Sequence, residues 1–265
     1  FTEIKKKTNV SLSGDGGDEV FFGYITFRAF YILALIKLIF PTFLLKFLKK
    51  ITKFRSFSNS YLGTKKKFNL FINNLDKDLF IVNSYWLNDY SDNDIQKLTG
   101  YKRNHSIIIY IKKLFKKHSL LRFAQIYYFK FYLPMILEKV DHASMLNSVE
   151  NRSPFLNKDL LNFTLNYDPK KNFDFFEEKK LMKNIFKDSL ETKFKNIKKH
   201  GFSFPKNLIL KNQKFVYRVI DNDLLLNKSI FYKKYDKYLK SNMHESFIWN
   251  ELMLNISRQN LEKNG

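Results

Sequence analysis

The sequence predicts an α/β fold that is strand-poor and mostly helical. Three observations carry this. A short alternating segment, Asn9 to Ser13, runs into a glycine-rich loop. Long stretches further on repeat apolar residues at helical spacing. Apolar residues make up 45% of the chain, which excludes wholesale disorder, and 29 Phe supply the bulk for a core.

Taken in order, Asn9 to Ser13 alternates polar and apolar residues as a half-buried strand does. Ile25 to Leu48 is apolar but carries Arg28, Lys37, Pro41 and Lys46. A membrane span needs roughly 20 nearly uninterrupted apolar residues, so two helices broken near Pro41 are expected instead. Ile51 to Asn104 reads as short helices joined by loops, punctuated by Asn-Asn, Ser-Asp-Asn and Thr-Gly. From Ser106 to Val140 the residues Ile109, Leu114, Leu120, Phe123, Ile126, Tyr127 and Phe131 follow helical spacing, and Pro134 lies in or at the start of a further helix. Leu156 to Leu261 is mostly helical, with a loop from His200 to Pro205. No repeat or low-complexity linker divides the chain. It is expected to be one helical region attached to the edge of an α/β sheet.

The net charge of +22 points by itself to nucleic acid or an anionic surface. The lysines are scattered, however, and an Asn-, Ile-, Phe- and Tyr-rich composition is what an AT-rich genome yields. No nucleic acid and no membrane are therefore expected as partners. There is no Cys, hence no disulfide framework and no thiolate metal site, and the five His have no metal-ligand spacing. A cytoplasmic location fits, and no secretory leader is read at the first residues.

The chemistry concentrates in Ser11 to Tyr24, Ser-Leu-Ser-Gly-Asp-Gly-Gly-Asp-Glu-Val-Phe-Phe-Gly-Tyr. Glycines at 14, 16 and 17 permit a sharp turn and close ligand approach. Strand, loop and helix start in succession put this turn at the carboxyl end of a sheet, where α/β enzymes bind ligands. Asp15, Asp18 and Glu19 repel one another unless a cation or donors sit among them. The alternative is a tight turn with Asp18 as a helix cap. The loop is neither a Walker A motif nor a dinucleotide fingerprint, and its acidic spacing is not that of an EF-hand.

Ser13 to Glu19, with Gly23 and Tyr24, resembles the second signature loop of the ATP-pyrophosphatase domain of asparagine synthetases. Tyr132-Leu133-Pro134, Lys139 to Met145, and Glu150, Arg152 and Pro154-Phe155-Leu156 are similar to the family's Asp-Arg-x-x-Met and Glu-x-Arg-x-Pro-Phe-Leu-Asp run. Lys199-His200-Gly201-Phe202 with Pro205 resembles its Lys-x-Gly-Phe-x-x-Pro segment, and Trp249 with Leu252 to Leu254 its closing helix. The resemblance covers nearly the whole chain, most thinly between Ile51 and Asn104. His142 departs from the usual Arg, Asn157 from Asp, and Ile197 from Arg.

This resemblance implies the mostly helical carboxy-terminal portion of an adenine-nucleotide alpha-hydrolase-like, Rossmann-like domain spanning 1–265. The family's first ATP loop, Ser-Gly-Gly-x-Asp-Ser, and its amino-terminal glutaminase domain are absent from these residues, so the chain is expected to be a fragment, inactive alone and completed in cis. The implied reaction adenylates the aspartate side chain with MgATP and amidates it with ammonia from glutamine. ATP and Mg2+ are the implied cofactors, and a homodimer is a further expectation. Asp15 would orient the amine or take its proton, and Lys199 would neutralise charge on the phosphates. Ser13, Gly14, Gly16, Gly17 and Tyr24 would bind substrate or nucleotide, with packing as Tyr24's alternative. Asp18 and Glu19 would hold the metal or fix the loop. Asp141, Glu150 and Arg152 would support the site from behind or, on the plainer reading of the residues, form a buried ion-pair cluster that anchors a helix. Two other readings stay open: a related amide ligase acting on a surface sugar, a peptide or a metabolite, and a degenerate, non-catalytic remnant.

Overall fold

A computed structural model describes residues 1–52, 64–87, 93, 96, 105–189, 206–222, 228–241 and 244–264. In chain order the elements are α1 (Thr2–Lys5), β1 (Val10–Leu12), α2 (Gly17–Val20), α3 (Ile25–Ile39), α4 (Thr42–Thr52), α5 (Thr64–Asn73), α6 (Leu79–Trp86), α7 (His105–Lys117), α8 (Leu120–Phe131) and α9 (Leu133–Met145). Then come β2 (Glu150–Arg152), a 3-10 turn (Pro154–Leu156), α10 (Lys158–Asn166), α11 (Pro169–Asn172), α12 (Lys180–Ile185), α13 (Lys206–Leu210), α14 (Gln213–Asp221), α15 (Lys228–Ser241) and α16 (Glu245–Asn264).

Local chemistry accounts for several boundaries. Pro41 disfavours helical geometry in the residue before it, and Phe40 is extended (φ −109°, ψ 129°), so α3 stops and α4 restarts beyond the proline. Pro134 sits in the first turn of α9, where its missing N–H costs nothing. Asn157 caps α10, its side chain accepting from Asp159 N at 2.8 Å and Leu160 N at 3.4 Å. Asn serves this cap as well as Asp would, which removes the structural consequence of that departure from the family pattern.

Contacts divide the chain into two compact units. The first comprises Phe1–Phe40, Asp78–Asn83 and Ser106–Lys198. It contains the sheet, in which β1 and β2 pair in parallel with Val10 opposite Glu150, Ser11 opposite Asn151 and Leu12 opposite Arg152. The sequence did not show β2, because Glu-Asn-Arg carries no strand signal. Among the described residues the sheet has two strands, not the several of a Rossmann-like domain. Its core is aromatic: Phe27 and Phe30 of α3 pack with Phe123 and Tyr128 of α8, all buried. Gly17–Ile39 is long and apolar enough to cross a membrane by composition. In the fold it breaks at Phe22 (φ 53°), and Phe27, Phe30 and Leu33 of α3 are buried in the core.

The second unit comprises Pro41–Lys77, Ser84–His105 and Lys199–Gly265. Its core gathers Leu210, Val216, Ile220, Phe231, Tyr235, Tyr238, Ile248 and Leu252, with Trp249 packed against it. The closing helix is thus buried through Leu252.

Candidate functional site

Because β1 and β2 run parallel, their carboxyl ends meet at one edge of the sheet and deliver two loops side by side, residues 13–17 and 153–156. Ser13 N–H donates to Arg152 O at 2.9 Å, extending the ladder into the loops. The glycines then divide by task. Gly16 is left-handed (φ 83°), and a Cβ there would lie 2.2 Å from Leu156 Cδ2. A Cβ on Gly17 would lie 3.0 Å from Phe155 Cδ2. Both glycines are buried, so close packing of the two loops accounts for them rather than exposure to a ligand. Gly14 is exposed, and no atom of the described residues lies within 4 Å of its Cβ position.

The three acidic side chains separate as well. Ser13 Oγ donates to Asp15 Oδ2 at 2.7 Å and lies 3.0 Å from Ser153 Oγ. Asp15 Oδ1 accepts no hydrogen bond among the described residues. Asp18 is not the helix cap, since Gly16 occupies that position. Asp18 Oδ1 instead pairs with Lys179 Nζ at 2.9 Å, each side chain about a quarter exposed (22% and 23%). Lys179 has positive φ (56°), uncommon for a lysine, and precedes the first turn of α12. Gly23 leaves room for the pair, because a Cβ there would lie 2.0 Å from Asp18 Oδ1 and 2.5 Å from Lys179 Cε.

Glu19 turns inward. It is buried and accepts from Tyr24 Oη at 2.9 Å. Burial raises its pKa, an effect that the Tyr24 hydrogen bond only partly opposes. Tyr24 stacks on Tyr128 at 5.1 Å and meets Tyr132 edge-on at 5.5 Å. Burial, then the adjacent Glu19 carboxylate, pushes the Tyr24 phenol far above its ordinary range. Tyr24 is therefore a packing and loop-fixing residue, and so is Glu19. Of the two roles expected for Asp18 and Glu19, the contacts here are those of loop fixing: one carboxylate is paired with a lysine and the other is buried under a tyrosine. No cluster of three or more His, Asp or Glu suited to a metal gathers among the described residues.

A family model described as asparagine synthase matches residues 1–258. The chain belongs to the asparagine synthase family. No curated protein and no solved structure matches it. Membership places it among ATP-dependent amide ligases.

Several residues on the asparagine synthase loops depart from sequence expectation. Asp141, Glu150 and Arg152 do not form a buried cluster. Glu150 and Arg152 pair with each other at 2.9 Å on the open face of β2, where they are 58% and 63% exposed. Asp141 is exposed on α9 and makes no ion pair among the described residues. The reason is the strand: residues two apart project from the same face, and here that face is open. Lys199, with His200, Gly201, Phe202 and Pro205, lies outside the described residues. Lys179, Ser153 and Asn151 were missed. Lys179 is one of many lysines, and no local pattern marks it as the partner of Asp18.

Proposed function

We propose that this chain is part of an asparagine synthetase and contributes to its synthetase reaction, in which the aspartate side-chain carboxylate is adenylated and then amidated by ammonia derived from glutamine. The observation that carries this reading is Asp15. It stands on the loop at the carboxyl end of the sheet with one oxygen held by Ser13 and the other accepting no hydrogen bond among the described residues. A carboxylate so placed can accept an N–H of the attacking amine and take its proton as the amide forms. The open backbone of Gly14 beside it admits a substrate group close to the chain. ATP, as cosubstrate, supplies the adenylyl group that makes the carboxylate reactive. Lys199 is the candidate cation for the developing phosphate charge.

Val10 and Leu12 are exposed, at 38% and 73%, on one face of a purely parallel strand pair. Parallel sheets are ordinarily covered on both faces, which supports placing this pair in a wider Rossmann-like sheet. The 265 residues contain neither a Ser-Gly-Gly-x-Asp-Ser loop nor a Cys nucleophile, so we assign the pyrophosphate loop and the glutaminase to further sequence of the same protein. We place the protein in the cytoplasm and take a homodimer as its working assembly.

The test uses the full-length protein. Aspartate should stimulate ATP–pyrophosphate exchange, and glutamine or ammonium should then yield asparagine. Asp15→Asn should lower amide formation by about 10² or more, the scale of lost general-base catalysis. Exchange driven by another carboxylate but not by aspartate would replace asparagine synthesis with a related amide ligase. Unchanged amide formation in Asp15→Asn would remove Asp15 from the reaction.

A further inference from the structure

We propose that Asn151 is a positioning residue for the Asp15 carboxylate, acting through the Ser13 hydroxyl. This rests on the assignment of Asp15 to the amide-forming step. The argument starts from proton accounting along one face of the strand pair. Ser11 Oγ lies 3.0 Å from Asn151 Oδ1, Asn151 Nδ2 lies 3.0 Å from Ser13 Oγ, and Ser13 Oγ lies 2.7 Å from Asp15 Oδ2. Ser153 Oγ is a third neighbour of Ser13 Oγ, at 3.0 Å.

A carboxylate only accepts, and a hydroxyl has one proton to give. Ser13 must therefore spend its proton on Asp15, and every other group around Ser13 Oγ must donate to it. This fixes the Asn151 amide with Nδ2 toward Ser13 and Oδ1 toward Ser11, and it makes Ser153 a donor. The chain then has a single direction, Ser11 to Asn151 to Ser13 to Asp15, with Ser153 entering at Ser13. Bonds aligned in one sense polarise one another.

Ser13, Asn151 and Ser153 are half-buried, so water does not freely replace these donors. Without Asn151, Ser13 Oγ would keep one donor of two and could turn its proton elsewhere. The free oxygen of Asp15 would then no longer be held toward the amine. The register makes this possible, because Ser11 stands opposite Asn151 and both project from the same face. An amide at the centre of a three-residue parallel strand takes a place where a β-branched residue packs better, and here it bridges Ser11 and Ser13.

The test is a double-mutant cycle on the full-length enzyme. Val is close to Asn in volume and favours a strand, so Asn151→Val should keep the fold while removing the donor. Asn151→Asp keeps the shape and the Ser11 contact but cannot donate to Ser13. Each should lower kcat for amide formation about tenfold, the factor that corresponds to one hydrogen bond of ordinary strength. KM for aspartate should stay within about twofold of wild type. On a Ser13→Ala background Asn151→Val should add no further loss, because its route to Asp15 is already cut. A crystal structure of the Asn151→Val protein should show the Asp15 carboxylate turned away from its wild-type orientation, a readout independent of activity. Full activity in Asn151→Asp, or losses that add in the double variant, would overturn the proposal. If Asp15→Asn abolishes amide formation while Asn151→Val does not lower it, only this inference falls. If Asp15→Asn is also active, the assignment beneath it falls too.

Discussion

At the scale of single residues the loop sorts three carboxylates by environment, and the sequence spacing says nothing about which goes where. Among the described residues Asp15 is tied at one oxygen only, Asp18 is neutralised by Lys179, and Glu19 is buried under Tyr24. The Glu19 arrangement gives stability a pH dependence whose sign is fixed. Its folded-state pKa lies above the ordinary value of 4.5 because burial penalises the ionised form. The protonated form is favoured in the fold, so this contribution is fully present below pH 4.5 and is lost as pH rises through the folded-state pKa. Glu19→Gln keeps an acceptor for Tyr24 and cannot ionise. The variant should have a higher urea midpoint than wild type at pH 8, with the difference shrinking toward pH 4. A constant difference between those two pH values would show that Glu19 ionises freely in the fold. The sequence placed acidic residues at these positions but could not say that Glu19 points inward, since that depends on Tyr24, Tyr128 and Tyr132 closing over it.

At the scale of elements, the short helix α2 survives because other helices satisfy its last carbonyls. Gln125 of α8 is fully buried and donates through Nε2 to Glu19 O at 3.2 Å and Val20 O at 3.1 Å. Asn172, at the end of α11, donates to Val20 O at 2.8 Å. Arg122 donates to Gln125 Oε1 and to the carbonyls of Thr164 and Tyr167, holding the amide in place. A four-residue helix has too few internal bonds to persist without such help. Gln125→Leu should leave Glu19 O without this donor and cost about 2–3 kcal/mol in urea unfolding, the penalty for stranded buried polar groups. A cost under about 0.5 kcal/mol would mean that water reaches those carbonyls. Helical spacing in the sequence placed α8 correctly, since apolar residues three and four apart announce a buried face. It could not single out Gln125, because a buried amide looks like any polar residue until its partners arrive from α2.

At the scale of the whole molecule, each unit has its own core, one built around Phe27, Phe30, Phe123 and Tyr128 and the other around Phe231, Tyr235, Ile248 and Leu252. The net charge of +22 works against compactness throughout, since like charges are brought together on folding. Raising potassium chloride from 0.05 to 0.3 M should screen that repulsion and stabilise the protein by about 1 kcal/mol, a rise of roughly 2–4 °C in the thermal midpoint for a chain of this size. No rise, or a fall, would mean that attractive ion pairs such as Asp18–Lys179 outweigh the net repulsion. By itself the sequence determined the helices, the break at Pro41, the strand entering the glycine loop, and the family, because each is encoded in neighbouring residues through periodicity, proline and glycine chemistry, or ordered motifs. Only the tertiary structure decided that Glu150 to Arg152 is a strand and that Asn151 faces Ser11 and Ser13. It also decided that Lys179 answers Asp18, and that Gly16 and Gly17 serve packing while Gly14 stays open. The physical reason is range: helix contacts join residues three or four apart, whereas strand register joins positions about 140 apart, and no local pattern marks such partners.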